Sequence, residues 1–452
     1  MLNGTDRAAL ADSARAAARL AFAALIVLSP FRARIELLAR PTPPIYGDFT
    51  DILLFWSDIA LLATIGFWLL SLVARRQPVS FGPRFLAWPV IGLLIVAWLG
   101  VPFSVDPGVS AYNAVRLVVL GVLALYVVNE IDALDRLLLP VAAMVVVQAV
   151  VAIGQVVGQQ SLGLAGFGEY TLAPNLGVSV ITTGDGTRIL RGYGLTDHPN
   201  ILGGILSFAL ILLAGGTWAG RSERTTTLRV VIFALGAVAL LLTFSRAAWL
   251  GLAIGLVVAA GVVVASRDRL SLRNLGVAVA AGAVLCAPFV APYLPALAAR
   301  TDASGPIATE TRSIDEREAV AEVANRLFIG HFVAGVGLGG IPLAMQAAEP
   351  QFPYAYQPAS IVLLDVAAET GLFGALVYVV ILVAPWVALV RFRRRWTAEL
   401  ATASGALAAV TVVGFFDYYT WTYSAGRIWA WLVLGLWAVA YRNAMTGHAD
   451  AV

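Results

Sequence analysis

The chain has 452 residues, 60% of them hydrophobic and 13% charged, with a mean hydropathy of +0.84. Such a composition excludes an ordinary soluble domain and reads as a polytopic membrane protein. The formal net charge of +3 is too small to argue for a nucleic-acid partner, although all 30 basic residues are Arg.

Cys286 is the single cysteine and sits in an apolar run, which leaves no disulfide framework and no thiolate metal site. His198, His331 and His448 are too scattered to form a metal-ligand motif by spacing.

At the N-terminus, Arg7, Arg15 and Arg19 precede an apolar run from Leu20 to Leu28, as in a signal peptide. Further spans follow and no small-x-small cleavage site is visible, so an uncleaved signal anchor is expected. A span needs roughly 20 apolar residues. By that rule about twelve are predicted, near 14–31, 51–74, 85–103, 110–129, 137–157, 200–219, 228–244, 247–265, 274–291, 372–390, 399–416 and 427–441. The fold class is therefore all-α, because only helices or closed barrels span a bilayer and these segments are too long and evenly apolar for barrel strands. Residues 1–452 read as one membrane domain.

Arginine concentrates in cytoplasmic connections. With the N-terminus inside, the inner segments collect Arg75, Arg76 and Arg84, then Arg136, then Arg221, Arg224 and Arg229, then Arg267, Arg269 and Arg273, then Arg391 and Arg393 to Arg395, and finally Arg442. Both termini are then cytoplasmic. Two long connections fall outside, 159–199 and 292–360, and so does the short turn at Ser245 and Arg246. The first is rich in Gly, Thr and turn pairs such as Asp185-Gly186, and short strands or irregular structure are expected there. The second is the longest stretch that a bilayer would reject, since it carries Arg300, Arg317, Arg326, Glu316, Glu322 and Glu349 among other charges. There is no phosphate-binding GxxxxGK[ST] loop, so ATP hydrolysis is not expected to drive this chain.

Several residues are placed for chemistry. Arg246, in Thr243-Phe244-Ser245-Arg246-Ala247, lies between two apolar runs, where a guanidinium either snorkels to lipid headgroups or meets an anion. Arg317 lies in a segment from Ser313 to Arg326 whose Ala and Val recur at helical spacing, which suggests a short amphipathic helix on the membrane surface; its charges equally suit i,i+4 pairing. A Gly-rich run, Gly335-Val336-Gly337-Leu338-Gly339-Gly340, makes either a tight turn or a backbone cradle for phosphate. Pro358 is suited to the first position of a helix that continues into the span at 372–390. Asp365 and Glu369 then share one face of that helix. His198 stands at the mouth of the sixth span, where Asp197 and Asn200 suit helix capping.

The order of a Ser-Arg-Ala turn between spans, a large loop with an Arg-bearing helix, a Gly-x-Gly-x-Gly turn and a helix ending Ala-Glu-Thr-Gly-Leu-Phe-Gly resembles the O-antigen ligase and O-antigen polymerase superfamily. The resemblance covers residues 190 to 390 and makes 228–390 the ligase-like core. It implies a glycosyltransferase of the bacterial inner membrane that moves a glycan from undecaprenyl pyrophosphate to an acceptor hydroxyl on the outer face, without a cofactor or required metal. The partners implied are the lipid-linked glycan, a glycan, lipid or protein acceptor, and membrane lipids.

In that family external arginines bind the pyrophosphate, and Arg246 and Arg317 match those positions. Guanidinium donors stabilise the charge that develops on a leaving pyrophosphate. Arg191, His198, Ser360 and Glu369 are the expected substrate-binding residues. The family His, eleven residues before the first Gly of the Gly-x-x-Gly pair, is replaced here: counting back from Gly371 gives Ser360 followed by Ile361. Asp365 is the expected substitute base, with Glu369 and His198 as alternatives. A transporter or flippase of lipid-linked glycans and a non-catalytic relative of the ligases remain as other readings. For the flippase reading, Asp58 and Arg116 are the intramembrane charges to account for.

Overall fold

The computed structural model describes residues 4–215, 223–301 and 308–446. Arg221 and His448 lie outside the described residues.

The chain is built from long helices with two small hairpins. In chain order these are α1 (Gly4–Leu28), β1 (Arg34–Leu38), β2 (Ile52–Phe55), α2 (Trp56–Arg75), α3 (Arg84–Gly100), α4 (Pro107–Glu130) and α5 (Leu138–Gly158). There follow β3 (Val180–Thr182), β4 (Arg188–Leu190), α6 (Pro199–Ala214), α7 (Glu223–Leu242), α8 (Arg246–Ala265), α9 (Arg269–Thr301) and α10 (Ala308–Gly330). The last are α11 (Ile341–Ala348), α12 (Val362–Arg391), α13 (Ala398–Gly414) and α14 (Ser424–Thr446). β1 pairs antiparallel with β2, and β3 with β4.

Among the described residues, eight helices are long and apolar enough to cross a membrane: α2 to α5, α7 to α9 and α12. The other four candidates differ for identifiable reasons. α6 and α13 are apolar but have only 16 and 17 residues. α6 is buried along nearly its whole length and α13 along most of it, so these are core helices wrapped by protein rather than by lipid. α13 packs on α8 at a glycine crossing. A Cβ on Gly255 would lie 2.6 Å from the Gly405 carbonyl oxygen, so only glycine permits the approach. α1 and α14 are long enough, but polar residues dilute them, among them Asp6, Arg15 and Arg19 in the first and Arg427 and Arg442 in the second.

The connections between helices gather at two ends. At one end, Arg32 and Arg34 each donate to Asp197 across 3.0 Å, Val105 N–H donates to Val336, and Arg300 Nε donates to the Phe244 carbonyl. These bonds tie the connection after α1 to that after α5, the one after α3 to the Gly-rich turn after α10, and the one after α7 to the last turn of α9, and so cap this end. At the other end, Arg15 pairs with Glu130 and Arg442 reaches the Val128 carbonyl, while Leu134 N–H and the Asn443 side chain meet Glu399. The Arg-rich connections fall on this second end. Asp58 and Arg116 pair at 2.9 Å, and Arg116 also donates to Ser424 and Tyr112, a satisfied buried pair that ties α2, α4 and α14 together.

α12 departs from expectation at both ends of its first half. The helix begins at Val362 rather than Pro358, because the Asp365 carboxylate folds back to accept the Ala359 N–H at 2.7 Å and holds residues 358–361 off the helix axis. The helix is also not continuous, since Gly371 has φ 69° and ψ −170° and breaks it. The break is docked on the Gly-rich turn: Val336 and Gly337 donate to the Ala368 and Glu369 carbonyls, and Leu372 N–H donates to Phe332. A Cβ on Gly335 would fall 2.3 Å from the Glu369 carbonyl carbon, and one on Gly371 would fall 2.3 Å from the Val333 oxygen. The Gly-rich segment is thus a backbone clasp on the broken helix.

Candidate active site

The capped end encloses a polar cavity of about 590 Å³, and beside it a pocket of about 300 Å³. The two share Asn200, Arg300, Arg317 and Asp417 in their walls and form one continuous site.

The turn before α8 explains how Arg246 reaches it. Phe244 adopts a left-handed backbone with φ 50°, which an L-residue tolerates only when its surroundings enforce it. Here they do: its ring is fully buried and set edge-on against Tyr293, while Arg191 Nε holds the Thr243 carbonyl at 2.7 Å and Gly192 N–H holds that of Leu242. The turn therefore starts α8 at Arg246 and turns its N-terminus, with Ser245 and Ala247, toward the pocket. Backbone N–H groups at a helix start, together with Arg246, Arg300 and Arg317, gather donors and positive charge on this wall, a chemistry suited to an anion. Arg317 comes from α10, which runs over Ala308–Gly330 and is longer than the segment expected. Farther along α10, Arg326 pairs with Glu322 in the i,i+4 manner and with Glu349.

The other expected residues divide. Ser360 and His198 line the cavity. His198 is the N-cap of α6, its Nδ1 accepting from Asn200 N–H at 3.2 Å. Burial, and then the charges of Arg191, Arg300 and Arg317, push its pKa down to about 3. With Nδ1 occupied as an acceptor and the ring neutral, the proton is on Nε2, so His198 offers the cavity a donor and not a base. Arg191 also lines the cavity, but its guanidinium is directed at protein groups: Thr243, the Ser179 hydroxyl at 2.8 Å and Asn200 at 2.6 Å. It acts as a strut between loop 159–199 and the two helix starts.

Asp365 and Glu369 do not reach the site. Neither is in its walls, and both are buried behind it. Glu369 accepts from Gly339 N–H at 2.9 Å and from the Trp421 indole at 2.7 Å, so its oxygens lock the Gly-rich turn to the segment after α13. Glu369, expected as a substrate ligand, and Asp365, expected as the base, are thus placed outside the walls of this cavity and bonded to protein groups.

Three contributions were missed in the sequence. The first connection supplies Tyr46 and Asp48 to the cavity from the loop between β1 and β2. The loop 159–199 adds Asp197, pinned by Arg32 and Arg34, whose pKa burial raises to about 6 despite those arginines. Between α13 and α14, Asp417 stands in Phe415-Phe416-Asp417-Tyr418-Tyr419. It is 8% exposed, accepts from the Asn200 amide at 2.8 Å and from Tyr418 N–H at 2.9 Å, and lines both compartments. Burial raises its pKa, with the Asn200 bond and Arg317 acting in the opposite sense. A lone acid amid aromatics at a span end was the available signal. Among the described residues no group of three or more His, Cys, Asp or Glu is placed to hold a metal ion.

Fold and site together define a helical membrane protein with an arginine-walled cavity at one end of its bundle. Residues 231–379, from within α7 to within α12, match the family model described as O-antigen ligase, so this segment is similar to that family. The matched segment includes Arg246, Arg300, Arg317 and the clasp at Gly335 and Gly371, whereas Arg191, His198 and Asp417 lie outside it. A comparison with curated proteins found no match.

Proposed function

We propose that the chain crosses the bacterial inner membrane twelve times, with α1, α6, α13 and α14 completing the eight apolar spans, and that the capped end faces outward. In this reading both termini are cytoplasmic and the arginine-rich connections lie inside, as the positive-inside rule requires. The protein transfers a glycan from undecaprenyl pyrophosphate to an acceptor hydroxyl. The observation that carries this reading is the convergence of Arg246, Arg300, Arg317 and the N-terminus of α8 on one pocket continuous with a larger polar cavity.

The arginine wall holds the pyrophosphate, and its fixed donors stabilise the charge that grows as the glycosidic bond breaks. The larger cavity, with Ser360, His198 and several tyrosines in its walls, receives the sugars. The flippase alternative loses its main support, because Asp58 and Arg116 are engaged with each other and with neighbouring helices.

The test is binding and transfer with a defined undecaprenyl-pyrophosphate-linked oligosaccharide and purified protein in lipid. Saturable binding weakened by Arg246→Ala and Arg317→Ala is expected, together with acceptor-dependent release of undecaprenyl pyrophosphate. Donor binding that both variants leave unchanged would remove the basis of the reading.

A further inference from the structure

Transfer requires the acceptor hydroxyl to lose a proton beside the anion-binding wall, and Ser360, which has no basicity at neutral pH, stands where the family places a His. The carboxylates of the joined cavity differ in their engagement. Asp48 pairs with Arg34, and Asp197 with Arg32 and Arg34. Glu316 accepts from the Gln357 amide and lines only the larger compartment. Among the described residues, Asp417 is the carboxylate that lines both compartments, next to the arginines and next to the space for sugars.

We propose that Asp417 is the general base of the transfer step, an inference that rests on the glycan-transfer reading above. Hydrogen bonds reach it from neutral amide groups, among them Asn200 Nδ2 and Tyr418 N–H. A carboxylate has about four acceptor positions, so lone pairs remain for a hydroxyl. In the step, the acceptor O–H gives its proton to Asp417 while its oxygen attacks the anomeric carbon of the donor sugar. The bond from that carbon to the pyrophosphate oxygen breaks, and its electron pair leaves with undecaprenyl pyrophosphate. Proton and charge balance without a metal or co-reactant.

Burial raises the basicity of this carboxyl, the direction a base at neutral pH needs. The charged and titratable groups around it are Arg317, Arg246 and Arg300 in the shared walls, Asp365 behind, and its neighbours Tyr418 and Tyr419.

Asp417→Asn is compared with wild type for donor binding, transfer rate and the pH dependence of transfer in proteoliposomes. The expected result is a kcat lower by about 10²–10⁴-fold, unchanged donor affinity, and loss of the acid-side limb of the rate profile. Asn200→Ala provides a second reading on a chain that keeps Asp417. Removing that donor raises the carboxyl's pKa, and the acid limb moves to higher pH. Adding Ser360→His to Asp417→Asn is expected to restore part of the rate. Asp417→Asn transferring within a few-fold of wild type, while Arg246→Ala is inactive, overturns the base assignment and leaves the transfer reading standing. An acid limb unmoved in Asn200→Ala also overturns it. A wild-type protein that binds no lipid pyrophosphate overturns both.

Discussion

Glu369 accepts the backbone N–H of Gly339 across 2.9 Å, joining the clasped half of α12 to the Gly-rich turn thirty residues earlier in the chain. With Trp421 on its other oxygen, the carboxylate is a three-way joint among α12, the turn and the segment that carries Asp417. Replacing it by Ala leaves a buried N–H and an indole without acceptors. The expected loss is about 1–3 kcal/mol for the orphaned groups, seen as a lower melting temperature in detergent. Glu369→Gln keeps one acceptor oxygen and is expected to lose less.

The clasp itself is tested at its glycines. Gly335→Ala and Gly371→Ala combine a φ near +70° with a Cβ pressed against backbone, and each is expected to lower the yield of folded protein sharply. Gly166→Ala is the control, since a Cβ there meets nothing within 4 Å. Equal yields of all three would show that the turn and the broken helix separate readily.

Arginine geometry gives a further outcome. Arg246→Lys and Arg317→Lys retain charge but lose the planar fork, so donor binding is expected to recover only in part relative to the Ala variants. Full recovery with Lys would show that the wall works as a diffuse field rather than by directed bonds. The measurement is donor affinity at fixed ionic strength.

Sidedness is read with impermeant maleimide in whole cells carrying Cys286→Ser. A Cys at Leu176, which is exposed in loop 159–199, is expected to label in intact cells, and a Cys at Arg394 only after permeabilisation. The reverse pattern would invert the membrane orientation.

The pH response has two opposing parts. His198, with its pKa depressed from 6.5 to about 3, stabilises the fold fully above pH 6.5, and that contribution is lost as pH falls toward 3. Asp197, raised from 3.8 to about 6, contributes below pH 3.8 and loses that contribution as pH rises through 6. His198→Asn keeps a side-chain acceptor for the Asn200 N–H and removes the titration. Its melting temperature is expected to fall less than that of wild type between pH 6.5 and 4.

Much of this was legible in the sequence. Apolar run length located α2 to α5, α7 to α9 and the second half of α12, and the Arg-rich connections fell on one end of the bundle. Asp185-Gly186 did mark a hairpin, with Gly186 at φ 84°. Arg246 and Arg317 were singled out separately, and the fold brings them to one pocket. The surroundings of the carboxylates were not legible. Asp365 and Glu369 have the spacing of a shared helix face, but spacing does not reveal that one caps Ala359 and the other grips Gly339 and Trp421. Pro358 has the chemistry of a helix start, and the Asp365 bond to Ala359 overrides it. The contributions of Tyr46, Asp48 and Asp417 depend on contacts across hundreds of residues, which no periodicity encodes.

The break at Gly371 has a mechanical consequence. The segment from Val362 to Thr370 is fastened to the cap by backbone bonds and by the joint at Glu369, whereas the segment from Leu372 onward presents residues such as Phe373, Leu376 and Val387 to the surroundings. A bilayer that thins or thickens tilts its helices. In α12 the helical ladder stops at Gly371, so a tilt of the second half is not carried by continuous helix into Val362–Thr370.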